Sequence, residues 1–231
     1  MSRLFTFGCS FTNYRWSTWA DILGAHYDEY QNWGQGGAGN HYIFNSVMEA
    51  DQRSQFEPND TVIVSWTNVM RNDHYTTRWQ TYGNMYTTEL YNQKFVKEKV
   101  TERGYLIRDA AFIKAVKVLL ELKGVNWHFT SMDQTTWQID QWDPDKKSFF
   151  PDVVDLYKDV FEGWLPSFRE VLFPERWADR EDGHPTPAEH LIWLDTVLPG
   201  SVTKQEVRVK IAQESNNLVK TKTSNCTLKR L

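Results

Sequence analysis

The alternation of apolar runs, glycine turns and amphipathic stretches along this chain predicts an α/β fold with a mainly parallel central sheet. Three observations carry that prediction. Thr61-Val62-Ile63-Val64-Ser65-Trp66 is a nearly unbroken β-branched and aromatic run, which suits a strand buried on both faces. Tyr105 to Lys123 is the longest helical pattern, and Gly124 follows it as a natural stop. Val125 to Thr130 then reads as another strand, so helix and strand succeed each other with one glycine between them.

Taken in order, Leu4 to Phe7 is a short first strand ended by Gly8. Ser17 to Gly24 is a helix capped by Ser17 or Thr18, with Trp19, Ile22 and Leu23 as its apolar stripe. A more polar strand lies within Tyr27 to Trp33. Gly34, Gly36, Gly37 and Gly39 then mark tight turns and close backbone approach. Tyr42 to Ala50 is helical behind that turn, with Ile43, Val47 and Ala50 on one face. Residues 71–100 are polar and aromatic without a clean period, which reads as a lid-like excursion or a helical insert. Residues 131–180 are loop-rich, with a helical piece from Phe161 to Phe173 interrupted at Pro166. Pro187 to Leu198 is a helix with Thr186 as cap, Pro187 at its first position and Glu189 at its third.

With 231 residues and 40% hydrophobic content, the chain can build one substantial core. Residues 1–200 form the expected domain, with insertions around 71–100 and 131–180, and residues 201–231 form a basic extension. That extension carries seven Lys/Arg against Glu206 and Glu214. Val207, Val209 and Ile211 alternate with charges in it, which suggests a small β-hairpin or a docking element for a protein partner. The formal net charge of -4 gives no bulk reason to expect nucleic-acid binding. No apolar run reaches membrane-spanning length, and the N-terminus has no secretory pattern. A reducing, cytoplasmic or virion-associated setting is the expectation. Two cysteines, Cys9 and Cys226, make no disulfide framework, and the six histidines show no metal-ligand spacing. No cofactor is expected.

The chemistry centres on two distant segments. Ser10 follows the first strand, at the sheet edge where α/β proteins place their sites. His184 lies in Asp182-Gly183-His184-Pro185, so an acid and a base share one stiff loop. A serine needs such a base, and the base needs an orienting group. Ser10 and Thr12 also serve as helix-flanking caps in the simpler reading, and His184 as a polar residue before a helix. The 34–39 turn offers backbone N–H groups and Asn68 a side-chain amide for a developing oxyanion. The same turn read as a phosphate cradle lacks the Lys-Ser/Thr ending of a P-loop.

With these blocks in place the chain resembles the SGNH, or GDSL-like, hydrolase superfamily, as a divergent member akin to viral ones. Gly8-Cys9-Ser10-Phe11 stands for the first block, Asn32-Trp33-Gly34-Gln35-Gly36-Gly37 for the second, and Trp66-Thr67-Asn68-Val69 for the third. Asp182-Gly183-His184-Pro185 stands for the last, with the acid one position nearer than usual and Glu181 at the usual spacing. The resemblance implies a flavodoxin-like three-layer α/β/α fold and an esterase. Ser10 would be nucleophile, His184 base and Asp182 its acid, with Glu181 the alternative. The Ser10 and Gly37 N–H groups and Asn68 would hold the oxyanion.

Cys9 departs from the pattern and reads as a buried small hydrophobe pointing away from Ser10, with a rival nucleophile as the other reading. His190 reads as a helix-surface residue or as a support for the site. Trp66, Trp79, Tyr82, Trp137 and Trp142 are candidate substrate contacts, motivating a small-molecule or glycan ester as substrate, an O-acetylated carbohydrate in particular. The opposing reading is an inactive scaffold used for structure or glycan binding, as in a virion.

Overall fold

A computed structural model describes residues 1–133, 150–172 and 183–228. Its centre is a four-stranded parallel sheet in the order β2-β1-β3-β6, from β1 (Arg3–Phe7), β2 (Glu29–Asn32), β3 (Thr61–Trp66) and β6 (Asn126–Ser131). In register, Thr6 faces Asn32, Phe7 faces Val64 and Trp66 faces Ser131. The carboxyl ends of all four strands therefore emerge along one edge. β3, buried at every position, is an interior strand, and the half-exposed β2 lies at the sheet's margin.

Helices cover both faces, giving the expected three layers. α1 (Trp19–Gly24) and α8 (Pro187–Val197) pack together on one side, and α2 (Asn40–Ser54) and α4 (Glu102–Lys123) on the other. Thr18 caps α1, its N–H donating to Asp21 Oδ2 at 2.9 Å. Gly124 ends α4 in the left-handed conformation (φ 66°) that the sequence predicts for it. Thr186 and Glu189 form the reciprocal cap of α8. Trp19, Phe168 and Trp193 fill the α1–α8 side of the core: the Phe168 and Trp193 rings stack at 4.2 Å, and Trp19 and Trp193 lie 5.7 Å apart. Each such aromatic buries a large apolar area, which is the simplest account of the tryptophan content.

Residues 71–100 contain the helical piece that their aperiodic sequence allowed and a hairpin that it did not predict. β4 (His74–Tyr75) and β5 (Trp79–Gln80) form a small antiparallel hairpin, and α3 (Gln93–Lys99) follows, capped by Asn92. The segment has a satellite core of Met85, Tyr91 and Val96. Two short helices, α5 (Pro151–Leu156) and α6 (Lys158–Phe161), lead up to the stretch expected to be helical from Phe161 to Phe173, within which α7 (Phe168–Leu172) forms after Pro166.

The C-terminal extension is no hairpin. It is a single helix, α9 (Gln205–Leu228), packed on α8. Val207, Ile211 and Leu218 recur on its inner side while Val209 is exposed, so a helical period overrides the three-residue alternation. Arg208 holds it down through a two-bonded ion pair with Asp195, at 2.6 and 2.8 Å. Ser17 N–H donates to Glu214 Oε1 at 2.9 Å. Among the described residues no helix is long and apolar enough to cross a membrane.

Candidate active site

Three loops meet at the carboxyl edge of the sheet, and short hydrogen bonds join them. After β1, the Cys9 carbonyl accepts from Thr12 N–H (2.9 Å) and Asn13 N–H (3.1 Å), curling the chain into a tight turn. That turn forces the backbone close: a Cβ on Gly8 would lie 2.1 Å from Thr12 Oγ1 and 3.0 Å from the Ser65 carbonyl, so only glycine fits. The glycine turn after β2 is tied to it. Gln35 N–H donates to the Gly8 carbonyl (3.0 Å), Asn13 to the Gly34 carbonyl (2.9 Å) and Asn32 to the Thr12 carbonyl (2.9 Å). The loop after β3 joins through Asn40, whose amide donates to the Thr67 carbonyl (2.9 Å) and accepts from Thr67 N–H (2.8 Å).

Ser10 rides the first turn, half-buried. Its Oγ lies 2.8 Å from His184 Nε2. His184 enters just before α8, and its loop is anchored: Trp16 Nε1–H donates to the Pro185 carbonyl at 2.8 Å. The Tyr14 ring stacks on the imidazole with centroids 4.0 Å apart and planes 14° apart, and Phe11 flanks it at 5.5 Å. Asp182 and Glu181 lie outside the described residues, as do Trp137 and Trp142.

On the donor side, Gly37 has φ 73° and is pressed against the insert. A Cβ there would lie 2.3 Å from the Thr81 carbonyl. Among the described residues, neither the Ser10 nor the Gly37 N–H donates to another protein group. Asn68 Oδ1 accepts from Met70 N–H at 2.7 Å, which leaves Nδ2 as the donor of that amide.

The insert is stitched to the glycine turn. Thr81 Oγ1 donates to the Gly36 carbonyl (2.8 Å) and Gly83 N–H to the Gly37 carbonyl (3.0 Å). Asp73, buried, accepts from the Gly39 and Tyr42 N–H groups at 2.9 to 3.0 Å, capping α2 from outside the helix. Desolvation by burial raises its pKa. A carboxylate thus occupies the helix N-terminus that a phosphate would need, which removes the phosphate-cradle reading. Behind it, Asn40 donates to Asp109 at 2.8 Å, and Arg108 pairs with Asp109 at 2.7 Å. Burial pushes the Asp109 carboxyl up to about 7.

These positions correct the expectations for Trp66 and His190 and agree with that for Cys9. Trp66 is fully buried against Phe129 (5.7 Å, edge-on), so it is a core residue and not a substrate contact. An inward position on the most buried strand explains that. Trp79 and Tyr82 lie among other aromatics, Trp79 beside His41, Tyr42 and Tyr75 and Tyr82 beside His74 and Tyr91, and both keep part of their surface exposed. Cys9 is buried in the main core with a free thiol, as expected of a small hydrophobe. His190 is buried, not on the helix surface, because the inner side of α8 faces Phe168 (5.7 Å, edge-on). Burial, then the nearby His184, lower its pKa to about 3. Among the described residues no group of three or more His, Cys, Asp or Glu is placed to hold a metal ion.

Tyr14, Trp16, Asn40, Asp73 and Thr81 were not marked by the sequence. Tyr14-Arg15-Trp16 is an aromatic pair beside the serine block, which was a visible signal. The others work through contacts across dozens of residues.

No family model matches the chain, and no curated protein matches it. Among solved structures it is similar to a member of the lipolytic protein G-D-S-L family from Veillonella parvula DSM 2008, at 12% identity and a TM-score of 0.48, over 87% of this chain and 98% of that one. It is also similar to TesA, at 12% identity and a TM-score of 0.46, over 86% and 97%. A third is a putative acylhydrolase from Bacteroides fragilis NCTC 9343, at 12% identity and a TM-score of 0.45, over 91% and 88%.

Proposed function

We propose that this chain is a serine-dependent ester hydrolase with Ser10 as nucleophile and His184 as base. The observation that carries the reading is the 2.8 Å bond between Ser10 Oγ and His184 Nε2. With Nε2 as acceptor, the imidazole takes the hydroxyl proton as Oγ attacks the ester carbonyl carbon. The oxyanion that forms is held by the Ser10 and Gly37 N–H groups and Asn68 Nδ2. The carbon–oxygen bond to the alcohol then breaks, and His184 returns the proton to that oxygen. Water, deprotonated by His184, attacks the acyl carbon; the bond to Ser10 Oγ breaks, the acid leaves, and His184 returns the proton to Oγ. Asp182 is the assigned acid that orients His184, with Glu181 the alternative.

The substrate class proposed is an O-acylated, specifically O-acetylated, carbohydrate. What supports it is the half-buried aromatic hairpin beside the glycine turn, where Trp79 and Tyr82 lie on either side of Gln80 and Thr81. A panel of aryl acetates and acetylated sugars tests both levels. Turnover by the native chain and none by Ser10→Ala supports the hydrolase. Turnover confined to aryl esters overturns the carbohydrate assignment. Absence of turnover across the panel, with glycan binding retained, favours an inactive scaffold such as a virion component.

A further inference from the structure

Tyr14 and His184 form a near-parallel stack, with centroids 4.0 Å apart and 14° between planes. Tyr14 is only half-buried, so the stack covers one face of an imidazole that solvent would otherwise reach. The Ser10 bond fixes one atom of the imidazole, Nε2. Hydrogen bonds to ring nitrogens act in the plane of the imidazole, and a second ring laid against its face limits tilting out of that plane.

The neighbours of Tyr14 hold the plane in place. Trp16 meets its ring edge-on at 4.6 Å and 77°. Arg15 lies over both, 4.7 Å from the Trp16 ring centroid and 5.5 Å from that of Tyr14. Trp16 also donates to the carbonyl of Pro185, the residue after His184. One tripeptide thus grips the catalytic loop twice, at the His184 ring and at the adjacent backbone. It follows the Ser10 turn directly, so serine and histidine are registered by the same short segment.

We infer that Tyr14 is a positioning residue for His184: its ring sets the plane of the imidazole and stabilises the imidazolium that forms when Ser10 gives up its proton. An aromatic face attracts a cation through its quadrupole and a neutral ring much less, so the contact strengthens as the proton arrives. The benefit falls in the transition state and not in substrate binding. The inference rests on the Ser10–His184 reading above.

The test is the rate at which a fluorophosphonate probe labels Ser10 in the full chain, measured against probe concentration. Tyr14→Leu is expected to lower the limiting rate on the order of tenfold and leave the half-saturating probe concentration unchanged. Tyr14→Phe, which keeps the ring, is expected to label within about twofold of the native chain. Should Tyr14→Leu fail to fold, Tyr14→Met takes its place. Labelling of Tyr14→Leu at the native rate overturns the inference and leaves the hydrolase reading standing. Equal slowing in Tyr14→Leu and Tyr14→Phe overturns it too, since the phenol hydroxyl would then be the acting group. A native chain that is not labelled, with a behaviour identical to Ser10→Ala, overturns the hydrolase reading itself and the inference with it.

Discussion

Ser10 Oγ and His184 Nε2 are 174 positions apart in the chain and 2.8 Å apart in space. Two pieces of local structure, tied to each other through Trp16, produce that distance. The Gly8 turn sets Ser10 at the end of β1, and the Thr186–Glu189 cap with the Trp16–Pro185 bond sets the start of α8. If the pair acts as a unit, its members are not additive. Ser10→Ala and His184→Ala are each expected to lower kcat on the order of 10³-fold or more, and the double variant no further. Hydrolysis of aryl acetates by the three variants measures this, and independent losses that multiply would contradict a shared proton transfer.

Cys9 lies next to Ser10 but belongs to the core. It is fully buried and packs within the main cluster. Cys9→Ala should therefore cost about 1–2 kcal/mol of stability through the lost sulfur contacts and the small cavity. Turnover per folded molecule should be unchanged, and thiol reagents should be slow on the native chain. A large drop in kcat in Cys9→Ala, with the fold intact, would return the thiol to the list of nucleophiles.

Local signals in the sequence were enough for the sheet and the helix ends. β3 matches its apolar run residue for residue, and Gly124 and Thr186 terminate their helices as their chemistry requires. The positions of Ser10, the glycine turn and Asn68 along one edge follow once the strands are parallel. What local pattern could not supply is whatever depends on a distant partner. Val207, Val209 and Ile211 alternate over too short a span to outweigh the helical face that α8 selects. Trp66 looks like a site aromatic beside Asn68, yet on a strand buried on both faces every position, Trp66 included, lies in the core. Tyr14 is invisible as a ring partner until the chain has brought α8 beside it.

The anchoring of the glycine turn by the insert makes a separate prediction. Asp73 reaches back across 34 residues to accept from Gly39 N–H and also caps Tyr42 N–H. Removing that acceptor leaves buried donors without partners. Asp73→Ala is expected to destabilise the fold by about 3 kcal/mol, and Asp73→Asn by about 1 kcal/mol because one oxygen remains. Urea melts of the variants give both numbers. Amide exchange at Gly37 and Gly39 should rise in Asp73→Ala, and unchanged protection there would show that the turn is held by its other bonds.

The burial of His190 sets an acid limit on stability. Its pKa falls from 6.5 to about 3 in the folded chain, because burial penalises the charged ring and the electrostatic influence of the nearby His184 lowers it further. Below the unfolded value the open chain binds a proton that the folded chain refuses. Stability from this group is therefore complete above about pH 6.5 and declines as the pH falls toward about 3. His26 and His128, also lowered by burial, act in the same direction. His190→Leu removes the largest of these terms. It also removes an Nδ1 that has no hydrogen-bond partner among the described residues, so little is lost at neutral pH. The variant should match the native chain within about 1 kcal/mol at pH 7.5 and exceed it by about 2–3 kcal/mol at pH 4.5. Denaturant midpoints at the two pH values decide it: if the gap between native chain and variant is the same at both, the folded protein protonates His190 as readily as the unfolded chain does.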